Sequence, residues 1–405
     1  MASPGKVLIV VQNLPVPFDR RVWLEATTLQ SAGYTVSVIC PKGRKGTFRA
    51  GHEVLQGVHI YRYSPPPEAH GVLGYLFEFA YCWILTALLS LRVWREHGLD
   101  VLHACNPPET YFLLGGFFKL FGKRFLFDHH DLSPEMYLAK GGRPGGLLHR
   151  GLQWMERCTF AAADVVVAPN MSHRQIAMKR GGVPSERVFV VRSGPDLDRL
   201  RLLPPEPALK DGAAYLACYL GEMCPQDGVD YLLRAAEILV HQRDRQDIRF
   251  VLLGGGPSLQ ELKDLRNRLG LGPYVEFTGR VSDDDLCRYL STADLCLDPD
   301  PLTDWSDRST MNKIMEYMAF GKPIVAFRLK ENEFSAGEAA RFVEPNNTPA
   351  FAEAIEDLLR DAPRRQRMGE AGRHRVETAL AWEFSRAPLL AAYERVLRGG
   401  DRLGT

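Results

Sequence analysis

The sequence predicts an α/β protein made of two open, doubly wound parallel sheets. Three observations carry that expectation. Short β-branched runs alternate with longer helical patterns along nearly the whole chain, the signature of parallel strands joined by helices on both faces. The alternation breaks once, over 193–212, in SGPDLDRLRLLPPEPALKDG, which carries four prolines and no clean period. It then restarts, and a length of 405 residues predicts two or three domains at about 150 residues each.

The elements follow in order. KVLIVV (6–11) reads as a strand, 19–33 as a helix closed by Gly33, and YTVSVIC (34–40) as the next strand. Glycine just past the last periodic residue is the usual helix stop. DVLHA (100–104), RFLFD (124–128), DVVVAP (164–169) and RVFVV (187–191) continue the first sheet. In the second half, 213–221 is a strand, 227–242 a helix, 249–254 a strand, 258–270 a helix and 274–279 a strand. DLCLD (294–298), a helix near 310–320, PIVAF (323–327) and a helical stretch over 363–398 complete it. The expected domains are 1–195, a linker at 196–212, and 213–380, with 381–405 a helix returning to the first domain. Open α/β sheets bind ligands at the carboxyl ends of their strands, so two facing domains predict an interdomain cleft.

Composition narrows the function. With 45% hydrophobic and 24% charged residues, the chain has enough apolar side chains for a packed core and is not disordered. A net charge of +1 gives no global basic field, so nucleic acid is not an expected partner. None of the eight cysteines forms a C-x-x-C pair, which removes the zinc and thioredoxin motifs. Residues 1–6 lack an apolar segment, so no signal peptide is expected and the reading is cytoplasmic. The uncharged run 79–91, FAYCWILTALLSL, is shorter than the 18 or so residues of a spanning helix. It reads as a buried core helix, with peripheral contact at the inner face of a membrane, through the 75–95 helix, as the alternative.

The most informative stretch is STMNKIMEYMAFGKPIVAF, 309–327. Met311, Ile314, Met315 and Met318 fall at i, i+3, i+4 and i+7 and form one apolar face. Asn312, Lys313 and Glu316 fall together on the other. A helix starting near a strand end offers its unsatisfied N–H groups to a phosphate. A carboxylate one turn in can accept two ribose hydroxyls, and a neighbouring lysine can neutralise a diphosphate. The plain alternative is a solvated polar face holding an i,i+3 ion pair.

FDHHDLSPE (127–135) follows a strand, so His129, His130 and Asp131 stand at a sheet edge, where a metal site is one reading. Asp19, Arg20 and Arg21 follow the first strand's turn, as an acceptor entrance or, for Asp19, as a helix cap. Gly254-Gly255-Gly256 is not G-x-G-x-x-G, so a dinucleotide fingerprint is absent.

The order strand, loop, K-x-x-E-Y-M-A-x-G-K-P-[IV]-V resembles glycosyltransferase family 4, retaining enzymes of the GT-B fold. The opening NLPVPFDRRVWLEATTLQSAGYTVSVIC, GEMCPQDGVDYLLRAAEIL, VLLGGGP, VEFTGRVSDDDLCRYLSTADLCL and the His130-Asp131 pair are similar to it in the same order. The resemblance implies GT-B, two Rossmann-like domains facing across a cleft, and metal-independent sugar transfer from a nucleotide diphosphate sugar to a glycan, lipid-linked or small-molecule acceptor. It implies no cofactor beyond that donor.

It makes Glu316 the ribose ligand, His130 the donor-sugar contact, and Gly221, Gly279, Arg280, Val281, Arg308, Asn312 and Lys313 donor-side residues. Asp19, Arg20, Arg21 and Asp131 fall on the acceptor side. The chain departs from the family pattern twice. Arg308 stands where the first motif glutamate belongs, and Glu222 and Asp227 stand where an arginine and a lysine usually meet the phosphates. Lys313 is then the expected phosphate partner. A sugar-nucleotide epimerase and a non-catalytic binding subunit are the alternatives.

Overall fold

A computed structural model describes residues 4–43, 48–65 and 71–398; the expected last segment thus runs past them at 399–405. The chain divides into two units. One comprises 1–138, 142–192 and 385–405, the other 139–141 and 193–384.

The first unit runs β1 (Lys6–Val10), α1 (Arg20–Ser31), β2 (Thr35–Pro41), β3 (His52–Leu55), β4 (Val58–Tyr63), α2 (Gly71–His97), β5 (Val101–Cys105) and α3 (Phe112–Lys119). It continues with β6 (Arg124–Asp128), α4 (Ser133–Ala139), α5 (Leu147–Ala162), β7 (Val165–Ala168), α6 (Met171–Lys179) and β8 (Val188–Val190). Its sheet has the order β3-β4-β2-β1-β5-β6-β7-β8, parallel except for β3 against β4. The inner strands are buried on both faces, as parallel sheets require, so they read as unbroken apolar runs.

The second unit holds β9 (Tyr215–Leu220), α7 (Val229–Glu237), β10 (Ile248–Leu253), α8 (Leu259–Arg268), β11 (Val275–Gly279), α9 (Asp283–Thr292) and β12 (Leu295–Asp298). Then come α10 (Asn312–Ala319), β13 (Ile324–Phe327), α11 (Lys330–Ala336), β14 (Ala340–Val343), α12 (Thr348–Arg360) and α13 (Ala362–Arg375). The sheet order is β11-β10-β9-β12-β13-β14. One face packs Leu232 and Leu233 of α7 with Phe351 and Ile355 of α12. The other packs Leu290 of α9 with Ile314, Met315 and Met318 of α10. The four methionine and isoleucine positions predicted for one face of 309–327 are thus core.

Two expectations change, and one element appears that none of the patterns signalled. The stretch read as a linker is docked on the second unit: Leu200 is buried, and the Leu203 and Glu206 amides donate to Ser291 Oγ and Thr292 Oγ1, both at 2.9 Å. These bonds hold 193–212 against α9, so the boundary falls at 192/193. The β3–β4 hairpin had no clean sequence period. The run 79–91 belongs to a 27-residue helix that is not buried. Phe77, Ile84 and Leu88 are 62%, 53% and 57% exposed, because only the face carrying Cys82 and Val93 meets the sheet.

The last helix, α14 (Trp382–Arg398), crosses the boundary between the units. Leu389, Ala392, Tyr393 and Val396, one face at helical spacing, are buried. The Tyr393 hydroxyl lies 2.7 Å from His103 Nδ1 of β5.

Candidate active site

Strand order reverses between β1 and β5 in the first sheet and between β9 and β12 in the second. Helices leave such a point on opposite faces, opening a crevice at the carboxyl ends of the strands. The candidate residues gather at these two points, one cluster in each unit.

In the first unit, β6 ends at Asp128, whose carboxylate is fully buried. Arg21 grips it with two bonds of 2.8 Å, Nε to Oδ2 and Nη2 to Oδ1. Arg21 also donates to Val191 O at 2.9 Å and lies 3.2 Å from Glu25. His130 Nδ1 stands 3.0 Å from Asp128 Oδ2. Burial disfavours the charged ring, but the Asp128 charge outweighs it and pushes the His130 pKa up to about 9. Asn106, just past β5, clamps the turn. Its Oδ1 accepts the amides of His130 and Asp131 at 2.9 and 3.1 Å, and its Nδ2 donates to Asp131 O at 2.7 Å.

Arg21 is therefore not an acceptor-side surface cation but the buried counter-ion of Asp128. Asp19 caps α1, accepting the Val22 amide at 3.1 Å, and burial raises its pKa. Arg20 is exposed and Asp131 half-buried. His129 turns away into the core, with Nε2 at 3.2 Å from Glu156, which also binds Arg180. His129, His130 and Asp131 thus do not converge on one point as metal ligands. Among the described residues, two other groups have ligand atoms within 4.8 Å of one another: His52, His59 and His97, and Glu25, His103, Cys105 and Asp128.

In the second unit, β12 delivers Asp298 and then Asp300 beneath the first turn of α10. Lys313 Nζ lies 2.9 Å from both Asp300 oxygens and 3.2 Å from Asp298 Oδ1. It is buried and stands 5.0 Å above the Tyr219 ring. Burial opposes its charge, yet the Asp300 carboxylate holds its pKa well above the usual lysine value. The Asp300 pKa is raised by burial first and by the Asp298 charge second. Lys313 is therefore not on the solvated polar face that was the plain alternative to phosphate binding. Two carboxylates already meet its charge, leaving little for a diphosphate.

Glu316, one turn on, is half-buried, and its Oε1 binds Arg199 Nη2 at 2.6 Å. Arg199 also holds Asp283 at 2.9 Å. Asn312 is exposed at the head of α10. Arg308 lies 3.6 Å from Asp304 in the preceding loop. Gly221 follows β9 at φ +157° and Gly254 follows β10 at φ +134°. A Cβ on Gly254 would overlap the Gly221 carbonyl oxygen, so the two loops close on each other only with glycine there.

Gly279, Arg280 and Val281 stand at the end of β11. Arg280 is exposed and lies 3.4 Å from Glu222 Oε1. Asp227, by contrast, serves its own turn by accepting the Cys224 amide at 2.9 Å.

Two family models fit the chain: "Glycosyl transferase 4-like domain" over 19–194 and "Glycosyl transferases group 1" over 214–361. The chain is a family-4 glycosyltransferase. It is 27% identical over 348 residues to the alpha-D-kanosaminyltransferase of Streptomyces kanamyceticus, covering 82% of each chain. A GDP-mannose-dependent alpha-(1-6)-phosphatidylinositol monomannoside mannosyltransferase of Mycobacterium tuberculosis is 28% identical over 237 residues, 54% of this chain and 57% of that one. The sucrose-phosphate synthase structure from Thermosynechococcus elongatus superposes with a TM-score of 0.77 at 18% identity, over 98% of this chain and 100% of that one. That likeness fixes the fold as GT-B.

This glycosyltransferase carries site features that the residue patterns did not single out. Asn106, Asp298, Asp300 and Arg199 were missed. The signals were N-P-P-E after β5 and D-P-D-P after β12, where rigid prolines follow a strand end and a polar side chain is fixed at the crevice.

The raised His130 pKa makes a prediction. The folded pKa lies above the ordinary histidine value, so the Asp128–His130 pair stabilises fully below about pH 6.5 and loses that contribution as pH rises through about 9. Urea unfolding at both ends of that window should show the loss in wild type and not in His130→Gln. Equal pH dependence in the two proteins would refute the pairing.

Proposed function

We propose that the protein is a retaining transferase that moves a hexosyl or N-acetylhexosaminyl group from a nucleotide diphosphate sugar to a lipid-linked glycan, without a metal. The observation that carries this reading is Glu316. A carboxylate stands on the first turns of a helix at the carboxyl-end crevice of the second sheet, where a ribose could reach it. One relative supports the choice of acceptor: the mycobacterial enzyme is named for GDP-mannose and for a phosphatidylinositol mannoside.

The chemistry asks for charge stabilisation more than for a nucleophile. As the sugar–phosphate bond breaks, charge builds on the departing diphosphate, and fixed dipoles and cations lower that barrier. The leaving phosphate oxygen takes the acceptor proton on the same face, so configuration is retained. With Lys313 tied to Asp298 and Asp300, Arg280 is the cation assigned to the phosphates. Its bond to Glu222 is long and exposed, so exchange of a carboxylate for a phosphate costs little. His130, held charged by Asp128, donates to a donor-sugar hydroxyl.

The test is a thermal-shift panel of nucleotides and nucleotide sugars, followed by transfer assays with the best ligand. A ligand at 100 times its dissociation constant adds about 2.7 kcal/mol. A donor-dependent shift and an axial product from an axial donor are expected, with activity unchanged by EDTA. Loss of activity in EDTA, restored by one divalent ion, would overturn the metal-independent reading. Arg280→Ala should lower kcat by roughly ten- to a thousandfold, the cost of one lost stabilising donor. An unchanged kcat would remove Arg280 from the phosphates.

A further inference from the structure

Strands β3 and β4 and the end of α2 bring three histidines together at the edge of the first sheet. Across the antiparallel hairpin His52 pairs with Tyr61, and Val54 with His59. Paired and alternate residues share one face of a sheet, so His52, His59 and Tyr61 point to the same side. α2 ends on that side at His97. The His97 and His59 ring centres are 4.1 Å apart, and the His52 and His59 rings lie nearly parallel at 6.0 Å. With one nitrogen taken from each ring, the three atoms fall within 4.8 Å of one another.

Two features of the cluster go beyond packing. His59 Nδ1 is buried and, among the described residues, has no hydrogen-bond partner, a cost that a ligand would remove. His97, in turn, is oriented from behind. The Tyr61 hydroxyl lies 2.6 Å from Glu96 Oε2 and 2.7 Å from His97 Nε2. A hydroxyl has one proton to give. Donated to the carboxylate, it leaves Tyr61 to accept from Nε2–H, so His97 keeps its lone pair on Nδ1. Such a hydrogen-bonded partner fixes the tautomer of a metal-binding histidine.

The surrounding charge keeps the rings neutral. Burial first, then His97 and His52, hold the His59 pKa below its ordinary value. Burial lowers His97 as well, against Glu96 and with His52 and Lys6. Arg92, the cation of the next turn, is paired with Glu96 at 2.8 Å. Neutral imidazole is the form that binds metal. Three imidazoles suit a transition ion better than calcium or magnesium. Around tetrahedral zinc, with bonds of about 2.0–2.1 Å, ligand nitrogens stand about 3.3 Å apart. The exposed His52 ring can turn to close the gap.

We propose that His52, His59 and His97 bind one zinc ion, or a similar divalent transition ion, and that the ion ties the β3–β4 hairpin to the last turn of α2. The site is separate from the transfer chemistry. α2 runs back against the parallel strands, so its end returns to the amino-terminal side of the sheet, whereas the His130–Asp131 turn follows the carboxyl end of β6. The ion is therefore structural, and the inference does not depend on the transferase reading.

The test uses the full chain, stripped with EDTA and exchanged into buffer, and titrates Co²⁺ and then Zn²⁺. One Co²⁺ per chain should bind, seen by its visible d–d absorption, and Zn²⁺ should displace it. Zn²⁺ should also slow amide hydrogen exchange over 52–61 and at the end of α2. Tyr61→Phe should weaken binding by roughly 10- to 100-fold. His52→Gln alters an exposed ring, so the fold is kept, and it should weaken binding further because a ligand is lost. Affinity should fall as pH drops through the histidine range, where protons compete for the ring nitrogens.

Wild type that binds neither ion would overturn the proposal. Undiminished binding in His52→Gln would overturn it too, and would move the ion to Glu25, His103, Cys105 and Asp128. One ion per two chains, with a dimer in sedimentation velocity, would replace the single-chain site by a contact between copies.

Discussion

Replacing Lys313 by methionine is expected to destabilise the second unit by about 3–5 kcal/mol, the cost of removing one partner from a buried charge cluster. The reason lies beneath α10. Asp298 and Asp300 are both fully buried, and Lys313 is the cation within bonding distance of each. Asn332 donates to Asp298 Oδ2 at 2.6 Å, but an amide carries no charge to offset two carboxylates. Without Lys313 at least one carboxyl must protonate, and Asp300, already raised by burial and by Asp298, takes the proton.

The variant should therefore recover part of its stability as pH falls toward the carboxyl range, because the unpaired Asp300 binds its proton more tightly folded than unfolded. Wild type keeps the Lys313 contribution below the ordinary lysine pKa and loses it at strongly alkaline pH, because the folded lysine pKa is raised. Denaturant titration with a probe in the second unit measures the loss. Asp300→Asn combined with Lys313→Met should restore most of it, since one buried charge is removed with its partner. The phosphate-binding expectation predicts something different: a variant of normal stability whose kcat is down roughly ten- to a thousandfold. Normal unfolding of Lys313→Met would reinstate that role and refute the structural one.

The contrast shows which part of the site was legible in the sequence. Periodicity placed Lys313 and Glu316 on one side of α10 and the methionines on the other, and that geometry is what α10 displays at Ile314, Met315 and Met318. Periodicity reports the angle of a residue about its own helix. It does not report what another strand brings opposite. Asp298 and Asp300 arrive from β12, thirteen or more residues earlier in the chain, and turn a polar position into a buried one.

Arg21 was misplaced for the same reason. Local sequence puts it at a helix start beside a turn, while its partner Asp128 comes from β6 across the sheet, 107 residues away. The fold itself was far more legible. Doubly buried parallel strands have no polar alternation to confuse with helix, so β1, β2, β5, β6 and β7 stand out as apolar runs. The β3–β4 hairpin lies at a sheet edge with mixed exposure, where the pattern weakens.

The sequence presents α2 as a core helix because its uncharged run, 79–91, falls short of the length of a spanning segment. Length tests for spanning and says nothing about lying along an interface, and the exposed Phe77, Ile84 and Leu88 show how much apolar surface that test overlooks.

Glu316→Ala is expected to weaken donor binding by about 100-fold, roughly 3 kcal/mol for two charge-assisted bonds to the ribose hydroxyls. The protein should stay folded. The Glu316 side chain is 21% exposed, and Arg199 keeps Asp283 at 2.9 Å as a second carboxylate when Glu316 is gone. Because the ribose belongs to donor and released nucleotide alike, both should lose affinity equally, so KM should rise more than kcat falls.

A nucleotide lacking the 2′-hydroxyl separates this role from a general effect on the crevice. Wild type should discriminate against the deoxy compound by roughly tenfold, one such bond. Glu316→Ala should bind both forms with equal, weak affinity, the outcome of a double-mutant cycle in which ligand and protein lose the same contact. Arg199→Gln tests the other side of the pair. The ribose must compete with the Arg199 guanidinium for Glu316, so freeing the carboxylate should leave donor affinity unchanged or improve it. Calorimetry that finds Glu316→Ala still preferring the ribose form by the wild-type margin would remove Glu316 from the donor site, and with it the observation on which the transferase reading of this geometry rests.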